Sequence, residues 1–262
     1  GNATGASGNA VNLARLTILA GGGDLNITGN TVTQAGTGIN QNGAITINGN
    51  GSSATFRSNN NINQNGLISM VANTSGHASA VTYDVSRGDK ASTVVINTPL
   101  TIAAGSTSRI DYNMFASGAV LNPGYIRVPG VITLDNTYGA ATPGATPTSG
   151  FITAANLATL ATTANPVVIN QSNALSGDRG VTIRSVVNSG IYGFAIQLLD
   201  GITSSQGNIS LTGVAASGAG IGNWVPFVQT YVAPLSAPNG NISLNGTIAG
   251  TGWGVSVAGD GY

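Results

Sequence analysis

The chain has 262 residues, of which 6% are charged, and its eight basic and eight acidic side chains give a net charge of zero. A chain with zero net charge offers no electrostatic case for nucleic acid or an anionic membrane, which both require a basic surface, so neither is expected as a partner. Cysteine is absent, which excludes a disulfide scaffold, thiolate metal sites and a cysteine nucleophile.

The residue types favour strands and turns over helices. The chain contains 39 glycines, its acidic residues are all aspartate, and Lys90 is its only lysine. Because straight-chain helix formers are scarce and β-branched residues are common, we expect an all-β fold. The hydrophobic content of 41% is sufficient for a core and excludes a disordered tract. No apolar run reaches the roughly 18 residues of a membrane-spanning helix, and no signal peptide opens the chain. The chain opens on "GNATGASGNA" and stops at "GDGY", neither of which resembles a domain end, so we expect a segment of a longer protein.

Short glycine-led segments recur from the N-terminus onward. "GDLNITG" begins at Gly23, "GAITING" at Gly43 and "GLISM" at Gly66, in steps of 20 and 23. Apolar residues at period two between turn residues indicate short strands with one buried face. Strands that recur at such a step without helices predict a parallel β-helix of about eleven or twelve coils, in which stacked coils bury one continuous core.

The pentapeptide "INQNG" occurs at residues 39–43 and again at 62–66, an offset of 23. One predicted period apart, the two copies should occupy the same corner of consecutive coils. Residues 40–42 would then lie over residues 63–65, and their amides would form a ladder. The left-handed backbone of such a corner would explain the glycines, Gly43 and Gly66.

A second repeated spacing involves charged side chains. Arg87 precedes Asp89 by two positions, and Arg109 precedes Asp111 in the same way, at an offset of 22. If one coil separates the two motifs, each arginine reaches the aspartate of the next coil. Such a surface charge ladder would contribute little stability per pair.

Two excursions are predicted in the C-terminal half. Residues 137–150, "TYGAATPGATPTSG", are rich in turn residues and indicate a loop that leaves the stack. The excursion is expected to span 137–166, to be irregular and partly helical, and to hold its helix candidate at 154–164. "GNISLTG" at Gly207 and "GNISLNG" at Gly240 match in six of seven positions, at an offset of 33. An apolar loop insertion at 223–240 explains this longer step. The whole chain, 1–262, is predicted to be one domain.

These segments, with the glutamate-free and cysteine-free background, resemble the passenger repeats of large Gram-negative surface proteins. The resemblance is closest to filamentous-haemagglutinin-like exoproteins of two-partner secretion, and autotransporter adhesins are similar. It implies a right-handed parallel β-helix, export of the unfolded chain through an outer-membrane pore, and folding at the cell surface. The secretion domain of the family carries an "NPNG"-type motif near its start. Here "APNG" stands at 237–240, which favours the shaft of the fibre over the secretion domain.

Catalytic and metal sites find little support in the sequence. His77 is the single histidine, in a polar turn without a G-x-S-x-G motif nearby. Asp89, Asp111 and Asp135 follow at steps of 22 and 24 and could stack into the paired carboxylates of a polysaccharide-cleaving β-helix enzyme. The alternative, which the neighbouring arginines favour, is a charge ladder or ordinary turn aspartates. Eight scattered aspartates match no calcium repeat, so we expect neither metal nor cofactor.

Two candidate binding features remain. Arg87, Gly88 and Asp89 form the integrin-binding tripeptide, which would have to project on an exposed loop. Trp224, Phe227 and Tyr231 cluster in the 223–240 insertion and could form a surface aromatic patch for a carbohydrate or protein. The competing and favoured interpretation is that this loop packs its aromatic rings against the side of the stack.

The sequence thus predicts a non-enzymatic segment of a secreted bacterial surface adhesin, located outside the Gram-negative outer membrane. Expected partners are a host-surface protein or glycan, the biofilm matrix or other copies of the chain, and an outer-membrane secretion pore for the full-length protein. No membrane insertion is expected. Two alternatives stay open: a β-helix polysaccharide hydrolase or lyase, and the shaft of a contact-dependent toxin-delivery exoprotein.

Overall fold

The fold is known from a computed structural model of the chain. The structure describes residues 2–3, 8–18, 24–32, 35–47, 52–70, 78–85, 94–98, 100–101, 109–115, 121–136, 138–139, 148–149, 167–169, 174–187, 194–215, 217–225, 229–230 and 233–256. Within these residues the regular structure consists of β-strands, and no helix is found among them. The described part of the chain is therefore all-β, as predicted.

The first of the long sheets contains nine strands, and each neighbouring pair is parallel. It is the most regular part of the fold because most of its strands are comparatively long. In spatial order the strands are β1 (Asn2–Ala3), β4 (Leu25–Thr31), β7 (Ala54–Ser58), β10 (Ala78–Asp84), β13 (Arg109–Phe115), β16 (Val131–Asp135), β21 (Gly180–Val187), β24 (Ile209–Ala215) and β29 (Ile242–Ile248).

The second sheet also has nine strands and is parallel throughout. Its strands alternate in the sequence with those of the first sheet. In spatial order they are β2 (Asn9–Leu13), β5 (Thr37–Gln41), β8 (Asn61–Gln64), β11 (Val94–Ile96), β14 (Leu121–Asn122), β19 (Val167–Ile169), β22 (Phe194–Leu198), β25 (Gly218–Gly222) and β30 (Gly252–Ser256).

The third side is made of two shorter parallel sheets. The three-stranded one comes first along the chain, and the five-stranded one follows. They comprise β3 (Leu16–Ile18), β6 (Ile45–Ile47) and β9 (Ile68–Met70), then β12 (Leu100–Thr101), β15 (Ile126–Val128), β20 (Leu175–Gly177), β23 (Ile202–Thr203) and β28 (Leu235–Ser236).

The chain visits the first sheet, the second sheet and the third side in rotation, then returns to the first sheet beside its previous strand. We call one such pass a rung. The nine strands of the first sheet mark nine rungs, which at about 4.8 Å per strand span about 38 Å. This arrangement is β-solenoid-like. An uninterrupted step of 20–23 residues would give the eleven or twelve coils, and the excursions are expected to shorten the stack. The first sheet has nine strands, because most of its rungs, such as those with offsets of 29 and 49, use more of the chain than that step.

The register shows that no single period describes the chain. Leu25 pairs with Ala54, an offset of 29, whereas Tyr112 pairs with Ile132, an offset of only 20. "GDLNITG" and "GAITING" consequently lie in different places, since Leu25 belongs to the first sheet and Ile45 to the third side. The prediction that they are one period apart is wrong. Strand lengths are constrained by pairing, but corner lengths vary from rung to rung, so equal spacing in sequence does not guarantee equal position.

Two predicted stacks are confirmed. Ile45 pairs with Ile68 at the predicted offset of 23. Ile209 of "GNISLTG" pairs with Ile242 of "GNISLNG" at the predicted offset of 33. In both cases the similar residues lie within the paired strands themselves, so the segments that match in sequence also occupy equivalent positions in neighbouring rungs.

The core lies between the sheets, and in strands such as β6, β7, β13 and β16 alternate residues fill it. Aliphatic side chains dominate, and an aromatic stack interrupts them in the first sheet. The rings of Phe56 and Tyr83 are 5.1 Å apart and stacked, and Tyr112 follows at 5.7 Å from Tyr83. Burial of one such large side chain stabilises the fold by roughly 1.5–3 kcal/mol. A single rung cannot bury its own inward side chains, so this stabilisation depends on the neighbouring rungs.

Short side chains near the beginnings of first-sheet strands fix the rungs in register. Each accepts a hydrogen bond from a backbone N–H of the next rung, at 2.8–3.0 Å. These bonds satisfy amides at the corner where the ladder of backbone bonds begins. The donor–acceptor pairs are Ser53 to Asp24, Ala80 to Ser53, Val131 to Asp111, and Asn241 to Asn208.

Small antiparallel hairpins occur within both predicted excursions. β17 (Tyr138–Gly139) pairs with β18 (Thr148–Ser149) inside the 137–166 segment. β26 (Trp224–Val225) pairs with β27 (Gln229–Thr230) inside the 223–240 segment. The helix candidate at 154–164 lies outside the described residues. The first excursion falls in the long connection between two paired first-sheet strands, β16 and β21.

Candidate functional site on the first sheet

Most of the predicted binding residues lie outside the described part of the chain. This holds for Arg87, Gly88 and Asp89 and for the aromatic residues Phe227 and Tyr231. His77, the single histidine considered for catalysis, lies there too. Trp224 lies in β26, opposite Thr230. The integrin-type tripeptide and the aromatic patch therefore remain predictions.

Arg109 and Asp111 form an ion pair within one strand rather than between rungs. The Arg109 Nε and Nη2 atoms donate to the Asp111 carboxylate at 2.8–3.1 Å. These hydrogen bonds, with the charge of Asp111, raise the pKa of Arg109 above its ordinary value. The residue beside Asp111 in the preceding rung is Ala80 and not Asp89. The predicted ladder, in which Arg87 and Asp89 would stand one coil before Arg109 and Asp111, is wrong at this pair.

Asp111 and Asp135 do not stack either. Asp135 is in register with Phe115, at the far end of β13 from Asp111. The reason is that paired residues on these two strands differ by 20 in sequence position and not by 24. Asp89 lies outside the described residues. The predicted column of these aspartates is therefore wrong where it can be followed.

Ion pairs between rungs do exist, at other residues. Arg57 Nε lies 3.1 Å from Asp84 Oδ2, and Arg184 Nη1 lies 3.8 Å from Asp135 Oδ2. Each pair joins neighbouring strands of the first sheet at matching positions. Their offsets in sequence, 27 and 49, differ from the predicted step of 20–23 residues, and the sequence spacing therefore does not indicate them.

The register places these two pairs on either side of Phe115 in one outward column. Asp84 and Asp135 are the neighbours of Phe115 on the two adjacent strands, and both are buried. The arginines at the two ends keep 39% and 43% of their side-chain surface exposed, and Phe115 is half-buried. We call the set the Phe115 column: Arg57, Asp84, Phe115, Asp135 and Arg184.

A second outward column runs beside it, two positions earlier on each strand. Its members carry hydroxyl or amide groups, and all are partly exposed. Asn113 Nδ2 donates to Thr82 Oγ1 at 3.3 Å. At about 4.8 Å per strand, its five members extend over about 19 Å. We call this set the hydroxyl column: Thr55, Thr82, Asn113, Thr133 and Thr182.

The "INQNG" corner forms the amide ladder that its sequence predicts. Asn40 and Gln41 pair with Asn63 and Gln64, and Asn65 Nδ2 donates to Asn40 Oδ1 at 3.0 Å. Further bonds extend the ladder to rungs that the repeat did not reveal. They run from Asn42 to Asn12 at 3.0 Å and from Asn97 to Asn65 at 2.6 Å. Within the two copies, Asn65 Nδ2 also donates to Asn42 Oδ1 at 2.9 Å, as the predicted stacking requires.

The two glycines of this corner serve close stacking and not a left-handed backbone. The described glycines with positive φ are Gly124, Gly180, Gly218 and Gly252, and Gly43 and Gly66 are not among them. A Cβ on Gly66 would lie 2.6 Å from the carbonyl carbon of Gly43. The predicted reason for these glycines is thus wrong, although the predicted corner is confirmed.

The described residues bring no three His, Cys, Asp or Glu side chains together as a metal site. Across the same described stretches, no helix is long and apolar enough to cross a membrane. No protein-family profile, curated protein or solved structure matches this chain.

Proposed function

We propose that the chain is part of the shaft of a secreted bacterial surface adhesin and that this shaft is a right-handed parallel β-helix. The observation that carries the proposal is the rotation of the chain through three parallel sides over nine rungs. Parallel strands joined by a crossover in one sheet are right-handed in about 98% of cases, which supports the handedness. A stack of this kind is stiff along its axis and displays its corners and outer faces over a long distance.

Binding without turnover is the mechanism that the outer face favours. Asp84 and Asp135, which lie two strands apart on the first sheet, are each engaged by an arginine. Strand β13 and Phe115 occupy the space between them, where an inverting glycosidase would hold its water and the scissile bond. Many exposed hydroxyl and amide groups instead offer repeated weak polar contacts, whose sum is strengthened by multivalency.

On this proposal the chain lies outside the Gram-negative outer membrane, and the full-length protein crosses that membrane unfolded through a pore. The absence of cysteine suits such export because no disulfide can form beforehand. The partners would be a host-surface protein or glycan, the biofilm matrix or further copies of the chain. A toxin-delivery exoprotein could use the same shaft, and only its further domains would differ.

Binding to cells and polysaccharide cleavage can be measured on the same preparation. The purified chain should bind epithelial cells or a bacterial biofilm saturably, and heat-unfolded chain should not. Incubation with a panel of pectins, glucans and chitin should release no reducing ends. Release of reducing ends, with loss of that activity in Asp84→Asn or Asp135→Asn, would replace the adhesin by a hydrolase. Absence of saturable binding to all surfaces would contradict the adhesin directly.

A further inference from the structure

The last rung of the described chain, which consists of β29 and β30, leaves part of the core uncovered. Ile242 is in register with Ile209, and Val255 is in register with Ile221. Ile209 and Ile221 are fully buried, whereas Ile242 and Val255 keep 44% and 37% of their surface exposed. Residues in register on neighbouring strands point to the same face of a sheet. Ile242 and Val255 therefore continue inward columns of the core and are exposed because no described strand lies beyond them.

The last rung also presents open strand edges. Among the described strands, β29 and β30 each end a nine-stranded sheet. Ala249 N donates to Ala215 O of the preceding rung. Because the backbone N–H groups of a strand alternate between its two edges, those of Ile242 and Leu244 point toward the open side. Residues 241–256 contain no charged residue and no proline, which are the usual protection of an open edge. This edge is therefore suited to pairing with another strand.

The first rung, which consists of β1, β2 and β3, is open in a similar way at the other end of the stack. β1 and β2 end the two nine-stranded sheets there. Val11 is in register with Ile39, and Leu16 is in register with Ile45. Ile39 and Ile45 are fully buried, whereas Val11 and Leu16 are only partly buried and pack against the core. Both ends of the stack thus leave inward apolar side chains incompletely covered.

One line of register joins the two open ends through the second sheet. It starts at Val11 and finishes at Val255, and every member is aliphatic. A strand that paired with the open edge of β30 would therefore extend this line best with another aliphatic residue, as β2 offers. The members are Val11, Ile39, Ile62, Val94, Leu121, Val167, Ile196, Ile221 and Val255.

The corner between the first and second sheets is also alike near the two ends. A Cβ on Gly29 or on Gly246 would collide with a glycine carbonyl oxygen of the second sheet. The register places Ser58 directly after Gly29, and Ser185 two strands before Gly246. The narrow glycine corner is thus not continuous through the stack. It gives the cross-section near one end the same shape as the cross-section at the other.

We propose that the last rung of one copy docks head-to-tail on the first rung of a second copy, with β30 pairing in parallel with β2. This inference rests on the proposed function and deepens it, because it names the surface through which further copies of the chain associate. Val255 would then lie against Val11 of the second copy. Neighbouring strands within both nine-stranded sheets already pair in parallel, so the junction would repeat the contact that joins rungs inside the chain.

Head-to-tail docking differs from the other ways in which two copies could associate. It uses two different surfaces, so it does not close on a dimer and produces an open-ended filament. A tail-to-tail dimer would pair the last rungs in antiparallel fashion and leave the first rungs uncovered. Lateral association would use neither end.

The test is sedimentation velocity of the full chain over a range of concentrations, with negative-stain electron microscopy of the same samples. The variants are Val255→Lys at one end and Val11→Lys at the other. Leu67→Lys is the control, because Leu67 is 50% exposed on the corner before β9, within the stack. A lysine at an open end can extend its charged group into water, so each monomer should remain folded, which circular dichroism melting checks. Ile242→Lys, at a more exposed position, replaces Val255→Lys if that variant unfolds.

The wild type should form a concentration-dependent series of species that extends beyond a dimer, seen as rods of constant width and increasing length. Each single-end variant should associate at least about tenfold more weakly, which corresponds to about 1.4 kcal/mol, and Leu67→Lys should associate as the wild type does. A mixture of Val255→Lys and Val11→Lys should stop at a dimer. The intact first rung of the former can accept only the intact last rung of the latter.

A wild type that stays monomeric up to its solubility limit overturns the proposal, as does assembly that both end variants leave unchanged. A dimer that Val11→Lys preserves and Val255→Lys abolishes would show tail-to-tail pairing and would also overturn it. Cell and biofilm binding are measured on the same samples. If a monomeric wild type adheres, the docking surface is wrong and the adhesin function stands. If the wild type forms rods as expected but binds no cell or biofilm, the docking surface stands and the adhesin function fails.

Discussion

Replacing Gly66 by alanine should destabilise the fold through the stacking of rungs. The added Cβ would lie 2.6 Å from the carbonyl carbon of Gly43 and 2.8 Å from Nε2 of Gln41, and still closer to the Gly43 carbonyl oxygen. Gln41 cannot move aside freely, because it is buried and its Nε2 donates to that same oxygen at 2.7 Å. Because the added Cβ would meet the backbone of Gly43, the clash can be relieved only if the two rungs separate locally.

Overpacking of this kind typically costs about 1–3 kcal/mol, against a total stability of about 5–15 kcal/mol. At about 2–4 °C per kcal/mol for a chain of this size, the melting temperature should fall by about 2–12 °C. Gly8→Ala is the matched control, because a Cβ there meets nothing within 4 Å. It should be neutral or stabilising by about 0.4–1 kcal/mol, since alanine restricts the unfolded chain.

The assay is urea unfolding followed by far-ultraviolet circular dichroism, which reports on all strands. Tryptophan fluorescence is recorded in parallel. Both tryptophans, Trp224 and Trp253, lie in the last part of the chain, and in a stack of nearest-neighbour units the two signals can separate. Gly66→Ala should lower the circular dichroism midpoint more than the fluorescence midpoint. Equal stability of Gly66→Ala and Gly8→Ala would refute the reasoning, since no rung would then lie on Gly66.

Three further changes test other parts of the structure. The Tyr112 hydroxyl is buried and has no hydrogen-bond partner. Tyr112→Phe should therefore raise the free energy of unfolding, measured with urea, by about 1–3 kcal/mol. A decrease of that free energy by the same amount would show that the hydroxyl is hydrogen-bonded. Burial raises the pKa of Tyr83 and Tyr112 above 10; folding therefore favours their neutral forms, and stability should be complete below pH 10 and fall as the pH rises further. Tyr112→Phe should reduce that alkaline loss, and a pH-independent midpoint from pH 9 to 12 would contradict the assignment. Asn65→Ala removes the side chain at the centre of the amide ladder and should lower the free energy of unfolding by about 1–2 kcal/mol in the same urea assay. Asn63→Ala is the control and should be near neutral, because the Asn63 side chain makes no hydrogen bond in the described structure.

The sequence predicts the pairing of strands correctly where a repeated segment forms the paired strands themselves. "INQNG" and the two "GNIS" segments are such cases, and their stacking is confirmed. Period-two alternation also indicates the inward side chains of β6 and β9, because pairing and burial act on the strand itself. It fails in β29, where Ile242 is exposed.

What the sequence does not reveal depends on the lengths of the corners. Ion pairs such as Arg57 with Asp84 join residues whose separation is set by the loops between three strands, and those loops vary. The order of the Phe115 column is hidden for the same reason. Gly66 shows a different limit: glycine is equally suited to a left-handed turn and to a close backbone approach, and only the neighbouring rung decides between them.

The stacking register is tested most directly by a cysteine pair, since the natural chain contains no cysteine. Thr133 and Thr182 face each other on adjacent strands, about 4.8 Å apart and within disulfide reach. Thr133 and Ser210 lie two strands apart, beyond that reach at about 9.6 Å. Mild oxidation of monomeric Thr133→Cys/Thr182→Cys should give an intramolecular disulfide by mass spectrometry, while Thr133→Cys/Ser210→Cys should keep both thiols free. Free thiols in the first variant, or a disulfide in the second alone, would contradict the stacked parallel rungs.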